Sequence, residues 1–350
     1  MKRFVVRMMH RSRPGLLVLL VACWSAASAT AAPLSPLSPP CPVEALLTCT
    51  FPAHIPQQAR SWEHRHNRLV ARSPNHSVQD ILVTEGSPIT IEGKFTYGNL
   101  SKDLEDELIL GFLNTDGGWV PLGEERTDDD GRVRFTVAPP LKIGVYGVQL
   151  EVAGDASVAE ARLWVLPRGT HLAIFDIDGT LTTSDEEIIR NVKKERLLHK
   201  QYVPKAYPGA AQLTAAQAAR GYVNVYLTGR PYWLANATRT WLWPEGSPSF
   251  ALGVLHVTDS NQEAFPTQAG VGAFKRSFLK KLVASGFLLD IAYGNANTDI
   301  SAYLDAHLPP QAVWIIGPHG GARGTHAVQG SWEERVSEVN ALPRVSQPWQ

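Results

Sequence analysis

The sequence lacks an excess of either charge, because 33 Lys and Arg residues balance 33 Asp and Glu residues. A chain with a formal net charge of +0 presents no strong field to nucleic acid, so the composition argues against a nucleic-acid partner. Long apolar runs are also missing: the apolar core at residues 16–22 falls far short of the ~20 residues of a spanning helix. The 350 residues suffice for two globular domains.

Cysteine is scarce, with three residues in the chain, Cys23, Cys41 and Cys49. Basic residues before residue 14, the short apolar core and small residues up to Ala32 predict a signal peptide over residues 1–32. Cys23 also fits a lipoprotein box, in which it would be acylated, so two kinds of processing stay open. Both predict an exported protein that is periplasmic, extracellular or lipid-anchored at the outer surface. In such a compartment, Cys41 and Cys49 are expected to form a local disulfide.

Composition and periodicity divide the rest of the chain into four segments. Residues 33–78 are rich in proline at their start and predict a linker. Residues 79–167 contain alternating segments separated by Gly and Asp turns, which predict a small β-sandwich of immunoglobulin-like or prealbumin-like type. Residues 168–325 alternate between strand and helix patterns, which predicts a Rossmann-like α/β domain with a parallel sheet and helices on both faces. Residues 326–350 form a C-terminal tail. The turn at 128–131 carries three aspartates, for which a hairpin is favoured over a Ca²⁺ site.

Two aspartates follow the first predicted strand of the α/β segment, at residues 171–175. Asp176 and Asp178 are spaced by two, so their side chains lean the same way at the carboxyl edge of the sheet, where ligands of such sheets bind. Crowded carboxylates repel unless a cation or proton lies between them. The pair can therefore perform phosphoryl chemistry, with Asp176 as nucleophile, Asp178 as acid and base, and Mg²⁺ as the counter-ion. A solvated Asp-Gly turn is the alternative.

Three further segments supply residues that suit a phosphate. A second predicted strand, residues 223–227, ends at Thr228 and Gly229, whose hydroxyl and backbone N–H groups suit phosphate oxygens. Thr228 can equally cap the helix that follows. Lys275 begins an apolar-periodic helix and is the candidate cation, with Lys280 and Lys281 as competitors.

The fourth segment, residues 291–299, combines a strand, a glycine turn and a helix start. Asp299 completes the predicted metal site together with Asp176 and Asp178, and Asn295 assists it. Asp299 can also serve simply as a helix N-terminal cap, and both roles are compatible.

These four segments, in this order, resemble the motifs of the haloacid-dehalogenase-like superfamily. The run Asp-Ile-Asp-Gly-Thr-Leu-Thr-Thr-Ser-Asp at 176–185 and the segment at 294–303 resemble the lipin-type, Mg²⁺-dependent phosphatidate phosphatases. The likeness covers roughly residues 168–320 and extends to related domains of phosphatidylinositol-transfer proteins, many of which have lost catalytic acids. It implies an aspartyl-phosphate mechanism at Asp176, an acid/base role for Asp178 and Mg²⁺ as the cofactor.

The resulting expectation is an exported Mg²⁺-dependent phosphomonoesterase, a hydrolase that acts on phosphatidate or a related phospholipid. A phosphatase of soluble sugar or nucleotide phosphates and a non-catalytic phospholipid-binding module are the alternatives. Basic residues at 193–200 and the tryptophans Trp233, Trp241 and Trp243 suit peripheral contact with an anionic membrane, although a solvated helix face and core aromatics explain them as well.

Overall fold

The computed structural model describes residues 36–43, 54–98, 101–138, 140–183, 204–244, 249–260, 263–264 and 266–350. All of them belong to one compact unit, Ser35–Gln350. The predictions made for the signal peptide, for Cys23 and Cys49 and for a basic helix after residue 185 lie outside the described residues. In the described part of the chain, no helix is long and apolar enough to cross a bilayer.

Short alternating segments build the N-terminal half as an all-β structure. Its elements are α1 (Arg65–Val70), β1 (Ser77–Val78), β2 (Ile81–Thr84), β3 (Thr90–Lys94), β4 (Thr96–Tyr97), β5 (Lys102–Asp103), β6 (Leu108–Thr115), β7 (Gly118–Arg126), β8 (Arg132–Thr136), β9 (Gly144–Val152) and β10 (Val158–Leu166). The strands form a five-stranded sheet in the order β2-β10-β9-β6-β7, a three-stranded sheet β1-β3-β8 and a small pair β4-β5. Buried side chains from the two larger sheets, among them Ile91, Phe135 and Leu150, share one core.

Strands and helices alternate through the C-terminal half. Its elements are β11 (His171–Phe175), α2 (Ala210–Ala219), β12 (Val223–Pro231), α3 (Ala235–Leu242), β13 (Gly253–Thr258), α4 (Val271–Ala284), β14 (Leu288–Gly294), α5 (Asn297–Asp305), β15 (Val313–Ile316), β16 (His326–Val328) and α6 (Glu333–Ala341). Single 3₁₀ turns occur at Tyr232–Leu234, Pro310–Ala312 and Ala322–Gly324. The six strands form one sheet in the order β13-β12-β11-β14-β15-β16, and each neighbouring pair is parallel.

Side chains of β11 show how helices cover both faces of this sheet. Leu172 and Ile174 point into a core that α4 and α5 complete, whereas Ala173 and Phe175 point into a second core formed with α2, α3 and α6. This alternation follows from the period of two along a strand. Because strands buried on both faces read as continuous apolar runs, residues 172–175 are apolar throughout.

The coarse fold prediction is confirmed, since a β-sandwich precedes a sheet flanked by helices. The strands predicted before the two aspartates and before Thr228 are β11 and β12. The second strand was predicted too short, because β12 continues through Thr228 to Pro231, and a 3₁₀ turn, Tyr232–Leu234, begins directly after Pro231. The turn at 128–131 closes through Asp128 Oδ1, which accepts the N–H groups of Asp130 and Arg132.

Two side chains of the sandwich bind the free edge of the six-stranded sheet. Gln79 lies just before β2, and its amide donates to Val257 O at 2.6 Å and accepts from Val257 N at 3.2 Å. The adjacent Asp80 accepts the N–H of Leu255 through Oδ2 at 2.8 Å. These bonds satisfy backbone groups of β13 that no further strand pairs, so they cover an edge that would otherwise be exposed.

Asp80 is also the centre of a buried ionic cluster. Its Oδ1 accepts the N–H of Arg162 at 2.8 Å and pairs with Nη1 of Arg239 at 2.9 Å, and the carboxylate is fully buried. Burial and the nearby charge of Arg239 lower the pKa of Arg162 to about 10. The guanidinium of Arg162 lies over the ring of Trp243, 4.5 Å from its centroid. The cluster joins β10 of the sandwich to α3 and β13 of the sheet.

A continuous apolar core reinforces this junction. Trp164 and Leu166 of β10 are almost completely buried and pack in the same cluster as Leu172 and Leu282. Cys41 belongs to this cluster and is disulfide-bonded. Since Cys49 lies outside the described residues, its pairing with Cys41 stays a prediction.

One histidine of the junction is held in an apolar environment. His256 of β13 stacks on Phe278 with ring centroids 3.7 Å apart and on Phe274 at 5.2 Å. Its Nδ1 has no hydrogen-bond partner among the described residues. Burial, together with the charge of Lys281, lowers the pKa of His256 to about 3, so the folded protein holds the neutral ring.

Substitution of Asp80 is expected to destabilise the whole unit. Asp80→Asn leaves Arg239 without its carboxylate and places an amide against backbone N–H groups, so we expect a loss of about 3–5 kcal/mol in the free energy of unfolding. Urea denaturation measures this loss. The matched control is Glu92→Gln, whose partner Arg134 is exposed, and which should cost less than about 1 kcal/mol. Equal, small effects of the two substitutions would contradict the assigned role of Asp80.

Replacement of His256 should protect the fold against acid. The unfolded histidine takes up a proton near its ordinary pKa of 6.5, whereas the folded one resists until about pH 3. Its contribution to stability is therefore complete above pH 6.5 and is lost as the pH falls from 6.5 towards 3. His256→Phe keeps the stacking and removes this loss, so its stability advantage over the natural chain should grow with acidity. Thermal unfolding from pH 7.5 to pH 4.5 tests this; a constant difference would contradict it.

Candidate functional site

The loop after β11 places two carboxylates at the carboxyl edge of the sheet. Asp176 is fixed to the neighbouring strand β14, since its N–H donates to Tyr293 O at 3.0 Å. The chain then turns through Gly179, whose φ of +72° suits glycine. Thr180 lies behind Asp176 and donates its hydroxyl to Asp176 Oδ2 at 2.8 Å. The loop therefore fixes one oxygen of Asp176 and leaves the other to face the site.

A tryptophan from the C-terminal segment supports the same loop. Trp332 immediately precedes α6 and is fully buried. Its indole N–H donates to Thr180 O at 2.8 Å, and its ring lies edge-on to Tyr293 with centroids 5.4 Å apart. The segment that was predicted to be a tail thus contributes a fixed contact to the loop that carries the aspartates.

Asp178 is held by the end of β12. The Arg230 guanidinium donates to both carboxylate oxygens, with Nε 3.1 Å from each and Nη2 2.8 Å from Oδ1. Thr228 donates its hydroxyl to Asp178 Oδ2 at 2.9 Å and accepts the N–H of Arg230 at 3.1 Å. Arg230 is almost completely buried and also donates to Thr238. Both oxygens of Asp178 are therefore occupied by fixed donors.

Lys275 lies between the other two acids. It extends from the second turn of α4, and its Nζ is 2.5 Å from Asp176 Oδ1 and 2.6 Å from Asp299 Oδ1. All three side chains are at most 4% exposed. One ammonium thus joins residues from three separate elements, namely the loop after β11, α4 and α5.

Asp299 reaches this position because it lies in the first turn of α5. Its second oxygen, Oδ2, accepts the backbone N–H groups of Asn295 at 3.1 Å and Ala296 at 3.0 Å, so it supports the start of the helix from the third helical position, whereas the N-cap residue is Ala296. The preceding Gly294 allows the close approach, because a Cβ at that position would lie 2.7 Å from Cβ of Asp299. A residue with a side chain at 294 would displace the carboxylate.

Burial dominates the electrostatics of this cluster. It raises the pKa of Asp176 to about 8; Lys275 opposes the rise, and the carboxylates of Asp299 and Asp178 add to it. Burial also works to lower the pKa of Lys275, but Asp176 and Asp299 outweigh it and raise that pKa. Both directions are those expected when one buried ammonium lies between two acids, since an acid that keeps its proton removes the excess negative charge.

The residues predicted from sequence meet at one edge of the sheet. Direct hydrogen bonds join Lys275 to Asp176 and Asp299, and a separate one joins Thr228 to Asp178. Their chemical roles stay predictions. Gly229 lies within β12 between the two residues that bind Asp178, and the competing Lys280 and Lys281 are exposed on α4.

Sequence reasoning missed three residues of the site. Arg230 follows Thr228 by two along a strand, so the alternation of side chains places both on the same side as Asp178. This spacing was a usable signal. Thr180 could also have been found, because it lies four residues after Asp176 in a tight turn. Trp332 could not have been found from sequence, because no motif or spacing relates residue 332 to the loop at residue 180.

The carboxylates do not form a metal centre as they are arranged here. Carboxylate oxygens are the ligands that Mg²⁺ prefers, and the cluster holds three acids against two bases, so its chemistry favours a cation. The position of such a cation is filled, however, because the ammonium of Lys275 bridges Asp176 and Asp299. The guanidinium of Arg230 binds the carboxylate of Asp178. In the described ranges, no group of three or more His, Cys, Asp or Glu side chains is placed to hold a metal ion. Mg²⁺ therefore stays a prediction from sequence.

The tryptophans considered for membrane contact pack against the protein instead. Trp233, Trp241 and Trp243 are partly buried against the core between the sheet and α2. The indole of Trp241 donates to Pro204 O and that of Trp243 to Ala251 O, both at 3.1 Å. These contacts support core aromatics, the alternative interpretation of this cluster.

Two family models match the chain. Residues 173–317 match the model described as PITM 1-3, LNS2 domain, and residues 74–165 match the model described as PITM 1-3, beta-sandwich domain. A β-sandwich domain thus precedes an LNS2 domain. The order and the bounds agree with the two halves of the structure.

The chain is also similar to membrane-associated phosphatidylinositol transfer proteins. Membrane-associated phosphatidylinositol transfer protein 1 of Homo sapiens is 31% identical over 268 residues, which are 73% of this chain and 20% of that protein. Protein 3 of Homo sapiens is 30% identical over 270 residues, 73% of this chain and 25% of that protein. "Protein retinal degeneration B" of Drosophila melanogaster is 27% identical over 280 residues, which are 76% of this chain and 20% of that protein. The chain spans a fifth to a quarter of the length of these relatives.

These findings correct the assignment made from sequence. The prediction of a haloacid-dehalogenase-like phosphatase of the lipin type was wrong, because the family models and the relatives point to the phosphatidylinositol transfer family. The prediction of a phosphoric monoester hydrolase was wrong for the same reason, since these relatives are named for lipid transfer. The geometry gives a physical reason: Asp178, the predicted proton donor, is bound through both oxygens to Arg230 and Thr228.

The pairing of Asp178 with Arg230 should appear as a large coupling energy. Asp178→Ala and Arg230→Ala each leave a nearly buried partner uncompensated, so the double variant should be far less destabilised than the sum of the two. We expect a coupling of about 1–3 kcal/mol in a cycle measured by urea unfolding. The same cycle on the half-exposed pair Arg276–Asp305 is the control and should give less than about 1 kcal/mol. Additive effects at Asp178 and Arg230 would contradict the assigned pairing.

Proposed function

We propose that the chain is a non-catalytic phospholipid-binding module that recognises a phosphate headgroup at the carboxyl edge of its parallel sheet. In Rossmann-like sheets, ligands bind outside the carboxyl ends of the strands, and the polar cluster lies there. The similarity to proteins named for phosphatidylinositol transfer supports a phospholipid as the ligand. Transfer between membranes would be an activity of the longer relatives and is not required of this chain.

One observation carries the proposal: two cations and a threonine hydroxyl are fixed at that edge by hydrogen bonds to the three acids. Lys275 uses two of the three donors of its ammonium on Asp176 and Asp299, and one N–H is left for a ligand. Arg230 uses Nε and Nη2 on Asp178 and Nη1 on Thr238, so one N–H on each terminal nitrogen is left for phosphate oxygens. Because their carboxylate partners already order these side chains, little conformational entropy is lost when a phosphate binds.

The balance of charge in the cluster is compatible with an anion. Asp176, Asp178 and Asp299 face Lys275 and Arg230, which leaves one acid in excess. Burial of this excess negative charge raises the pKa of Asp176, so uptake of a proton by that acid would bring the cluster close to neutrality. The charge of a bound phosphate would be stabilised by the ammonium and the guanidinium.

The same contacts favour binding over hydrolysis. Transfer of a phosphoryl group to Asp176 requires an acid that protonates the departing oxygen. Asp178 is the sequence-predicted acid, and four hydrogen bonds from Arg230 and Thr228 occupy its oxygens. Export, acylation of Cys23 and peripheral membrane contact remain parts of the proposal that rest on the sequence alone.

Vesicle co-sedimentation of the full chain tests the proposal. Vesicles of phosphatidylcholine alone are compared with vesicles that contain phosphatidate, phosphatidylinositol or phosphatidylserine. We expect binding to the phosphatidate or the phosphatidylinositol vesicles, and competition by millimolar inorganic phosphate if the headgroup alone is recognised. Arg230→Gln should weaken this binding at least tenfold, because a bidentate contact is lost. Arg276→Gln, on the exposed side of α4, is the matched control and should bind like the natural chain.

Two results would contradict the proposal. Equal sedimentation of the natural chain and Arg230→Gln with every vesicle type would show that the edge site does not recognise the headgroup. Release of inorganic phosphate from the same vesicles, abolished by Asp176→Asn, would replace binding by catalysis.

A further inference from the structure

The position of Lys275 bears on whether the edge site needs a metal ion. Two acids from different elements, Asp176 and Asp299, converge on one point, and such convergence is the usual way in which a protein holds a divalent cation. Here the point is occupied by Nζ of Lys275, at 2.5 and 2.6 Å from the two oxygens. An ammonium at these distances satisfies both carboxylates.

The remaining oxygens of the two acids are occupied as well. Asp176 Oδ2 accepts the hydroxyl of Thr180, and Asp299 Oδ2 accepts two backbone N–H groups. Each of the four carboxylate oxygens therefore already has a donor. A divalent cation that entered would have to displace the ammonium of the buried Lys275.

We propose that the ammonium of Lys275 replaces a divalent cation between Asp176 and Asp299, so that headgroup binding is independent of such a cation and loss of the ammonium uncovers a cation site. The first part rests on the proposed function, whereas the second part concerns the acids alone.

The covalent attachment of the ammonium to the chain explains why it occupies the position between the two carboxylates in preference to a free metal ion. Lys275 is carried by α4, whose Leu279 and Leu282 are buried in the core, so the charge is always present at the site. Mg²⁺ dehydrates reluctantly and demands near-octahedral oxygen ligands, whereas an ammonium needs only acceptors within reach of its three N–H groups. Burial of two unpaired carboxylates costs free energy, and the internal cation offsets that cost.

Titration with Mn²⁺ in the absence of lipid tests the cation site directly. Calorimetry of the natural full chain should show no saturable Mn²⁺ site at the acids. Lys275→Met should show one saturable Mn²⁺ site, with an affinity at least tenfold above any Mn²⁺ binding by the natural chain. Adding Asp299→Asn to Lys275→Met should abolish that site. Lys280→Met is the matched control, because Lys280 is exposed on the same helix, and it should behave like the natural chain.

Vesicle binding in the presence and absence of EDTA tests the first part, that headgroup binding is independent of a divalent cation. Binding of the natural chain should be unchanged by EDTA. Tight Mn²⁺ binding by the natural chain that Asp299→Asn removes, or loss of vesicle binding in EDTA, overturns the inference. If Lys275→Met fails to fold, which circular dichroism reports, these two measurements on the natural chain still decide. A natural chain that binds no vesicle while the Mn²⁺ results hold refutes the proposed function and supports the cation replacement.

Discussion

The contact of one buried ammonium with two buried carboxylates is the constraint on which the site depends. Lys275, Asp176 and Asp299 come from different parts of the chain, and none of these charges could be buried without the others. A second pair, Arg230 with Asp178, repeats the same solution beside it. The edge of the sheet is therefore a compact set of fixed charges. Such a set suits recognition of an anion, because the donors are ordered before the ligand arrives.

The fold delivers these charges through parallel strands and supports them from outside. The loop after β11, the end of β12 and the turn after β14 meet because neighbouring parallel strands end at one edge. The outer strand β13 has no further strand beside it, and the sandwich covers that edge through Gln79 and Asp80. The sandwich is thus part of the structural support of the sheet, in keeping with a shared apolar core.

Much of this was predictable from sequence, and the exceptions have physical causes. Apolar runs ending in polar residues located β11 and β12, and the spacing of Asp176 and Asp178 located the site. The end of β12 was misplaced, because Pro231 suggests a helix start although proline is tolerated at a strand end. The partners of the acids were harder to find, since ion pairs join distant residues. The same motif residues suit catalysis and binding, so the sequence suggested a hydrolase, and only the partners of Asp178 and the similarity to transfer proteins distinguish the two.

The central claim is that the edge site binds a phosphate headgroup and leaves it intact. The most direct measurement is ³¹P nuclear magnetic resonance of a short-chain phosphatidate titrated with the full chain in EDTA. The account predicts that the phosphomonoester resonance shifts or broadens with added protein and that no inorganic phosphate resonance appears over hours. Growth of an inorganic phosphate signal, or a phosphomonoester resonance that does not respond to the protein, would contradict the account.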